Sequence, residues 1–520
     1  MTTGTATCPL DLRLPPTLFA VTGTAPAVRA RVEGELTLLA AELGVPVRPV
    51  VTIGTASSAR GDSMICVYGS GTLCAVADSV VAEALAYVDG SPSVVPVAGP
   101  QMLLDRLGGA GALDLDRLGE LLGLVCRHAV SRRPDVLFPQ SPLRPVLELG
   151  ISVAGHDIGA LSDELRDDTA EGSEAVERLV SALSAPRIEL LIDPAHLRSL
   201  TEGNQGTDLF PFLRDGLFAE LGLALPPFHL RLDPSLRPGG FAIRMQSVRT
   251  VPRIGLAAGT IMVNDTTERL RLMDVDGEAT TNPATDQPAT IVSAQHREML
   301  ESAGLTVWDP FGYLILAFAE AIRRRAYTLM NTAVASDALL SHGRDFPILA
   351  GAAGSLRLGE LTFTLRELLA DQVSIRNLRL ILELLLRYET DPEARLYGDR
   401  AAFVRSGLAE QIAAKAARNT MTVVVYLLDP AIETAVRGLA RATSGDSSRP
   451  LLVERVHAAV AAELAYLPPT AQVPLVLTQD DVRRTLRTVL QPRFPRVGVL
   501  GYGDLPGHYN IQPVARVSWS

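Results

Sequence analysis

Residues able to do covalent or metal chemistry are few in this chain, and their spacing is poor for it. Lys415 is the single lysine, set in an alanine-rich stretch before Asn419. A phosphate-cradling loop needs a lysine at the end of G-x-x-x-x-G-K-[ST], and no such run exists. A Schiff-base or kinase-type lysine needs a glycine loop or strand around it, and Lys415 has neither. The eight histidines (128, 156, 196, 229, 296, 342, 457 and 508) never pair at i+2, i+3 or i+4. No helix or strand therefore presents two imidazoles to a metal. Gly61-Asp62-Ser63 is followed by Met64-Ile65, so the second glycine of a G-x-S-x-G nucleophile elbow is missing. The run GYGDLPG from Gly501 to Gly507 lacks dinucleotide-loop spacing and opens no helix. Asp274 and Asp276 with Gly277 begin like a calcium loop, but the later ligands are missing. Cys8, Cys66, Cys74 and Cys126 form no C-x-x-C pair and read as small buried hydrophobes in a reducing compartment. The expectation is no catalytic residue, no metal and no cofactor. An enzyme whose site is assembled from dispersed residues is the alternative that motifs cannot address.

Composition narrows the partners. The chain has 520 residues, which exceeds the roughly 250–300 that one core sustains, so several domains are expected. With 47 % hydrophobic and 20 % charged residues it is globular. A net charge of −10 disfavours nucleic acid, which needs a basic stripe, and 5 % aromatics leave little for base stacking. No basic, then apolar, leader opens the chain. No window reaches the roughly 18 apolar residues of a spanning helix. Residues 310–319 are too short, bounded by Asp309 and Glu320, and residues 14–28 are broken by Pro15, Pro16 and Pro26. The expected location is cytoplasmic, without membrane insertion.

The elements alternate between helix and strand, predicting a mixed α/β, multidomain fold. Residues 1–140 read as an α/β domain, with strands at 11–14, 18–21, 47–53 and 64–68 and helices at 29–43, 75–87 and 113–130. Residues 141–186 are acidic and polar, suiting a linker or exposed helix. Residues 187–329 form a second α/β domain with a small inserted lobe at 262–293. Residues 330–430 read as a helical domain and 431–520 as a closing α/β domain, with its clearest loop at 442–450. Two internal similarities admit two readings, coincidence in a chain rich in Ala, Leu, Gly and Arg, or an N-terminal region that is a worn partial copy of a later one. AELGVPVRPVVTIG (41–54) parallels AELGLALPPFHLRLDP (219–234), and RLGEL occurs at 117–121 and 357–361.

The most distinctive pattern is RLGELTFTLRELLADQVSIRNLRLILELLLRY, residues 357–388. Leu361, Leu365, Leu368 and Leu369 share one helical face, and Leu378, Leu382 and Leu385 the next. The spacing predicts a helical hairpin turning at Val373-Ser374, with Ser374 as N-cap of the second helix. This run resembles a signature of the flagellar and type III secretion export-gate family (FHIPEP), whose cytosolic domain carries a similar hairpin with a V-S/P-I-R turn. Ile375, Arg376 and Arg379 match that turn. Residues 303–330, 277–292 and 473–506 resemble three further family segments in the same order, so the likeness covers roughly residues 145 to 520. Arg483 looks like the first arginine of the family's closing helix, and Tyr502 like a tyrosine of its closing strand.

The resemblance implies a non-enzymatic docking and assembly protein. Its cytosolic domain would form a ring, a homo-oligomer, and receive protein partners in the cleft between the first domain and the inserted lobe. On this chain that cleft corresponds to Trp308, Asp309, Phe311, Pro283, Thr285, Asp286 and Ile291. Thr285, Asp286 and Ile291 stand where the family has Phe, Gly and Trp, and Gly312 where it often has threonine. Aromatic anchors dominate such interfaces, so altered partners are expected. Family members carry a membrane bundle ahead of this domain; here residues 1–140 take that place, which implies at most peripheral association with a separate membrane subunit. Reuse of the fold as a soluble scaffold is the alternative.

Overall fold

The computed structural model describes residues 6–22, 25–56, 65–69, 72–97, 99–108, 113–137, 142–166, 174–183, 185–202, 210–396, 399–418, 420–441, 449–467 and 475–519. Gly61-Asp62-Ser63, Met64 and residues 442–448 lie outside them. The chain divides into two compact units, residues 1–70 with 74–331, and residues 71–73 with 332–520.

The first unit opens on a sheet with the order Val47–Thr55, Ala6–Leu14, Cys66–Gly69. Ala6–Leu14 runs parallel to Val47–Thr55 and antiparallel to Cys66–Gly69. Residues 18–21, expected as strand, instead lie in the helix Pro16–Thr22. A run of four apolar residues has no readable period. Pro16 suits the first helical position, where no N–H is needed. Pro26–Leu43 and Leu115–Arg132 cover the sheet, burying Val28, Val32, Leu36, Leu39, Leu118, Leu122 and Val125. Residues 141–186 are polar in composition, yet Leu165, Leu179 and Val180 from the helices Ile158–Arg166 and Glu174–Leu183 join this core.

A second sheet follows with the same logic. Its order is Phe228–Leu232, Ile188–Ile192, Gly240–Met245, Val248–Arg249, with Arg253–Ile254 also pairing to Gly240–Met245. Ile188–Ile192 is parallel to the strand that follows it through two helices, and antiparallel to the next. The first sheet shows the same order and directions around Ala6–Leu14. In both, the helix before the parallel strand stops at a glycine with φ +74°, Gly44 and Gly222. The likeness of residues 41–54 to 219–234 is thus matched by topology. The two RLGEL runs are not: the first is packed over a sheet, and the second opens a helix in an all-helical layer.

The second unit begins with helices Thr332–Gly343, Pro347–Ala353, Leu358–Ala370, Leu378–Thr390, Arg400–Gly407 and Ala409–Ala417. Leu365 and Leu382 are fully buried, and Leu361, Leu368, Leu369 and Leu385 nearly so. Leu365→Ala or Leu382→Ala is expected to cost about 2–5 kcal/mol in denaturant unfolding. A loss under roughly half a kcal/mol would place these leucines outside the core. Asn377, not Ser374, caps Leu378–Thr390, accepting from the Leu380 N–H at 3.3 Å. Ser374 Oγ accepts from the Arg376 N–H one turn earlier. Both residue types cap, and only the backbone path separates them.

The unit closes on a parallel sheet in the order Val499–Gly501, Leu475–Thr478, Thr422–Leu428, Asn510–Val517. Tyr502 leaves this sheet at once, opening the 3-10 turn Tyr502–Asp504 with its side chain exposed.

Candidate docking site at the inserted lobe

The lobe is a sheet in the order Glu278–Thr281, Pro288–Ser293, Thr260–Val263, Val307–Trp308. One face, with the helices Thr267–Arg271 and Arg297–Ser302, forms its own small core of Ile261, Val263, Leu270, Val275, Val292 and Leu300. Period-two alternation sends the neighbouring residues to the other face. There Glu278, Ile291, Met262 and Trp308 stand in one cross-strand row. Met262 and Ile291 are buried and Trp308 is half-buried.

Directly after Trp308 the chain enters the helix Pro310–Arg325. Asp309 caps it, its Oδ1 accepting from the Gly312 N–H at 2.6 Å, with Pro310 at the first helical position. Asp309 is exposed and Phe311 half-buried. The Phe311 ring meets Phe210 at 6.4 Å, and Phe210, Phe228 and Phe318 continue that edge-to-face cluster. A Cβ on residue 312 would come within 3.1 Å of Trp308 Cε3 and of Asp309 Oδ1. The tryptophan therefore uses room that Gly312 leaves open. Its indole N–H is buried and has no hydrogen-bond partner in the structure.

The lobe's tip is the turn between Glu278–Thr281 and Pro288–Ser293. Asn282 braces it, receiving the Ala284 and Asp286 N–H groups at 2.8 Å and donating to Asn264 Oδ1 at 2.7 Å. Pro283 is buried there and Thr285 exposed. Asp286 adopts φ +53° and sends its carboxylate to Arg324 Nη2 at 3.5 Å. Arg324 also binds Glu320 at 2.7 Å, one turn back on the long helix. Beside this pair Arg253 binds Glu83. Burial works against the charge on Arg253 and Arg324, but Glu83, Glu320 and Asp286 outweigh it and raise both above the ordinary arginine value. Burial likewise pushes the Tyr313 phenol up.

Of the residues singled out in the sequence, Trp308, Asp309 and Phe311 cluster at the start of the long helix. Pro283, Thr285 and Asp286 form the lobe tip, and Ile291 lies inside the lobe's inner face. Ile375, Arg376 and Arg379 belong to the second unit: Ile375 is buried, while Arg379 is exposed, pairs with Glu383 at 2.9 Å and lies over Phe346 at 5.3 Å. Sequence reasoning passed over Arg324, Arg253 and Glu83, although the run Arg323-Arg324-Arg325 at a helix end invited the question. Among the described residues no group of three or more His, Cys, Asp or Glu could hold a metal ion. No helix among them is long and apolar enough to cross a membrane.

A family model described as the FHIPEP family matches residues 138–510. This chain belongs to the FHIPEP family. It is 26 % identical over 309 residues to the low calcium response locus protein D of Yersinia pestis, covering 59 % of this chain and 44 % of that protein. It is 26 % identical over 373 residues to the flagellar biosynthesis protein FlhA of Bacillus subtilis, covering 68 % and 53 %. The chain thus spans about half the length of the curated relatives it matches. Among solved structures, the CdsV protein of Chlamydia pneumoniae aligns with TM-score 0.57 and 26 % identity, over 64 % of this chain and 98 % of that one. CdsV is also solved in complex with CdsO, with TM-score 0.56. The FHIPEP match begins at residue 138, so the first sheet and its helices precede it.

Proposed function

We propose that this FHIPEP chain is a non-enzymatic docking and assembly protein of the export-gate type. The observation that carries the reading is the match to CdsV over nearly all of that chain, together with the CdsV–CdsO complex. Its partner surface would run along the lobe and the long helix, from Trp308, Asp309 and Phe311 at the helix start to the lobe tip at Pro283, Thr285 and Asp286, which meets the helix end at Arg324. The exposure of Asp309 and Thr285, and the half-buried rings of Trp308 and Phe311, support that choice. Ile291 would back this surface from within the lobe. Ile375, Arg376 and Arg379 would act in the hairpin and in assembly. The protein would work in the cytoplasm, peripheral to a separate membrane subunit.

Affinity purification from the native cell with mass-spectrometric identification tests this. Recovery of membrane export components is the expected result. Recovery of soluble partners alone would favour the second reading, a scaffold for another system. That reading draws on Thr285, Asp286 and Ile291 standing where the family has Phe, Gly and Trp. For this chain purified in dilute solution, self-association into a ring should depend on concentration. Sedimentation velocity across a wide concentration range reads this out, and a closed dimer at every concentration would contradict it.

A further inference from the structure

We propose that the N-terminal domain braces the inserted lobe, holding it in one position over the long helix. The lobe is small, and its connections to the body run through residues 255–259 and through Trp308-Asp309-Pro310. Its outer strand, Glu278–Thr281, is the edge of its sheet. An edge strand presents unpaired N–H and C=O groups that invite another chain. Here that chain comes from residues 91–94, directly after the helix Asp78–Asp89 of the N-terminal domain. Ser93 Oγ donates to the Ala279 carbonyl, and the Val94 N–H donates to Thr280 Oγ1 at 3.1 Å. Thr280 Oγ1 donates to the Pro92 carbonyl at 3.5 Å, and Ser91 Oγ to Glu278 at 3.4 Å. Ser93, Val94 and Thr280 are all buried, so the middle of the seam is shielded from water, while Glu278 and Ala279 at its end are exposed. Pro92 and Pro96 have no N–H to hand on, which ends the sheet at this point.

A second anchor lies on the same helix. Glu83 of Asp78–Asp89 binds Arg253 in the strand Arg253–Ile254, just before the lobe begins. Glu83 also acts on Arg324, the residue that holds Asp286 at the lobe tip. One N-terminal helix and the segment after it thus reach the lobe at its edge strand and the charge cluster beneath its tip. Without the brace, rocking would break the Asp286–Arg324 pair and uncover the inner-face residues Met262 and Ile291. With the brace it must break the seam as well.

Hydrogen exchange followed by mass spectrometry on the full chain tests the brace. In Ser93→Ala/Thr280→Val, amides in residues 278–293 should exchange about tenfold faster, as expected for losing seam hydrogen bonds. The helix Asp78–Asp89 should keep its protection in that variant. Glu83→Gln should raise exchange in the same lobe segment. Unchanged lobe exchange in Ser93→Ala/Thr280→Val would overturn the proposal, as would loosening confined to the N-terminal domain in Glu83→Gln. Should Glu83→Gln fail to fold, the seam variant alone decides.

Discussion

Asp504→Ala is expected to destabilise the second unit by about 3–5 kcal/mol, the range for stripping one partner from a buried ion pair. Asp504 accepts both Arg405 Nε and Nη2 at 2.8 Å, and its Oδ2 also takes the Gly501 N–H at 2.9 Å. Both side chains are nearly inaccessible, 7 % exposed for Arg405 and 5 % for Asp504. Asp371, at the end of Leu358–Ala370, binds Arg405 at 3.1 Å and Arg483 at 2.6 Å. The network thus fastens the leucine hairpin to the helix Asp480–Leu490 and the turn after the strand Val499–Gly501. Removing Asp504 leaves two arginines around one carboxylate and an amide without its acceptor. Denaturant unfolding followed by helical signal measures the loss. Arg437→Ala, which breaks an exposed pair with Asp481, should change little by comparison. A cost below about 1 kcal/mol for Asp504→Ala would mean that water replaces the carboxylate.

Gly44→Ala is expected to be comparably severe in the first unit. Gly44 ends Pro26–Leu43 at φ +74°, where an L side chain costs about 1–2 kcal/mol. A Cβ there would also lie 2.1 Å from the Ala154 backbone nitrogen. That backbone cannot retreat freely, because the Val153 N–H is bound to the Leu43 carbonyl at 2.9 Å and Val153 is buried. Gly90 is the control. It caps Asp78–Asp89 at φ +70° with open space around its Cα. Gly90→Ala should show the strain alone, about 1–2 kcal/mol. Gly44→Ala should exceed it by roughly 2 kcal/mol or more, from displaced backbone. Equal losses for the two variants, read from thermal or denaturant melts, would contradict the close approach.

What the sequence revealed and what it withheld follow from the range of each interaction. The leucine hairpin was legible because Leu361, Leu365 and Leu368 repeat within one helix, where periodicity is local. Its cap was misplaced because Ser374 and Asn377 are chemically alike. Residues 18–21 were misread because four apolar residues carry no period. The repeated helix–glycine–strand unit was visible at 41–54 and 219–234, since a glycine stop is a one-residue signal. Arg483 was noted as a family position, but its partner Asp371 lies 112 residues away, and Glu83 lies 170 from Arg253. Such pairs leave no local mark. The docking residues entered through family likeness, which carries no information on burial: Ile291 and Pro283 are buried, whereas Thr285 and Asp309 are exposed.

The most direct measurement for a docking role is partner capture by the double variant Trp308→Ala/Phe311→Ala. Trp308 offers a half-buried ring at the start of the long helix, and Phe311 extends the aromatic surface toward Phe210. An anchor of this kind carries much of an interface's binding energy. The account predicts that the double variant no longer captures the partner that the unaltered chain recovers from the native cell. Its melting temperature should stay within a few degrees of the unaltered chain. A variant that melts normally and still captures that partner would contradict docking at the lobe.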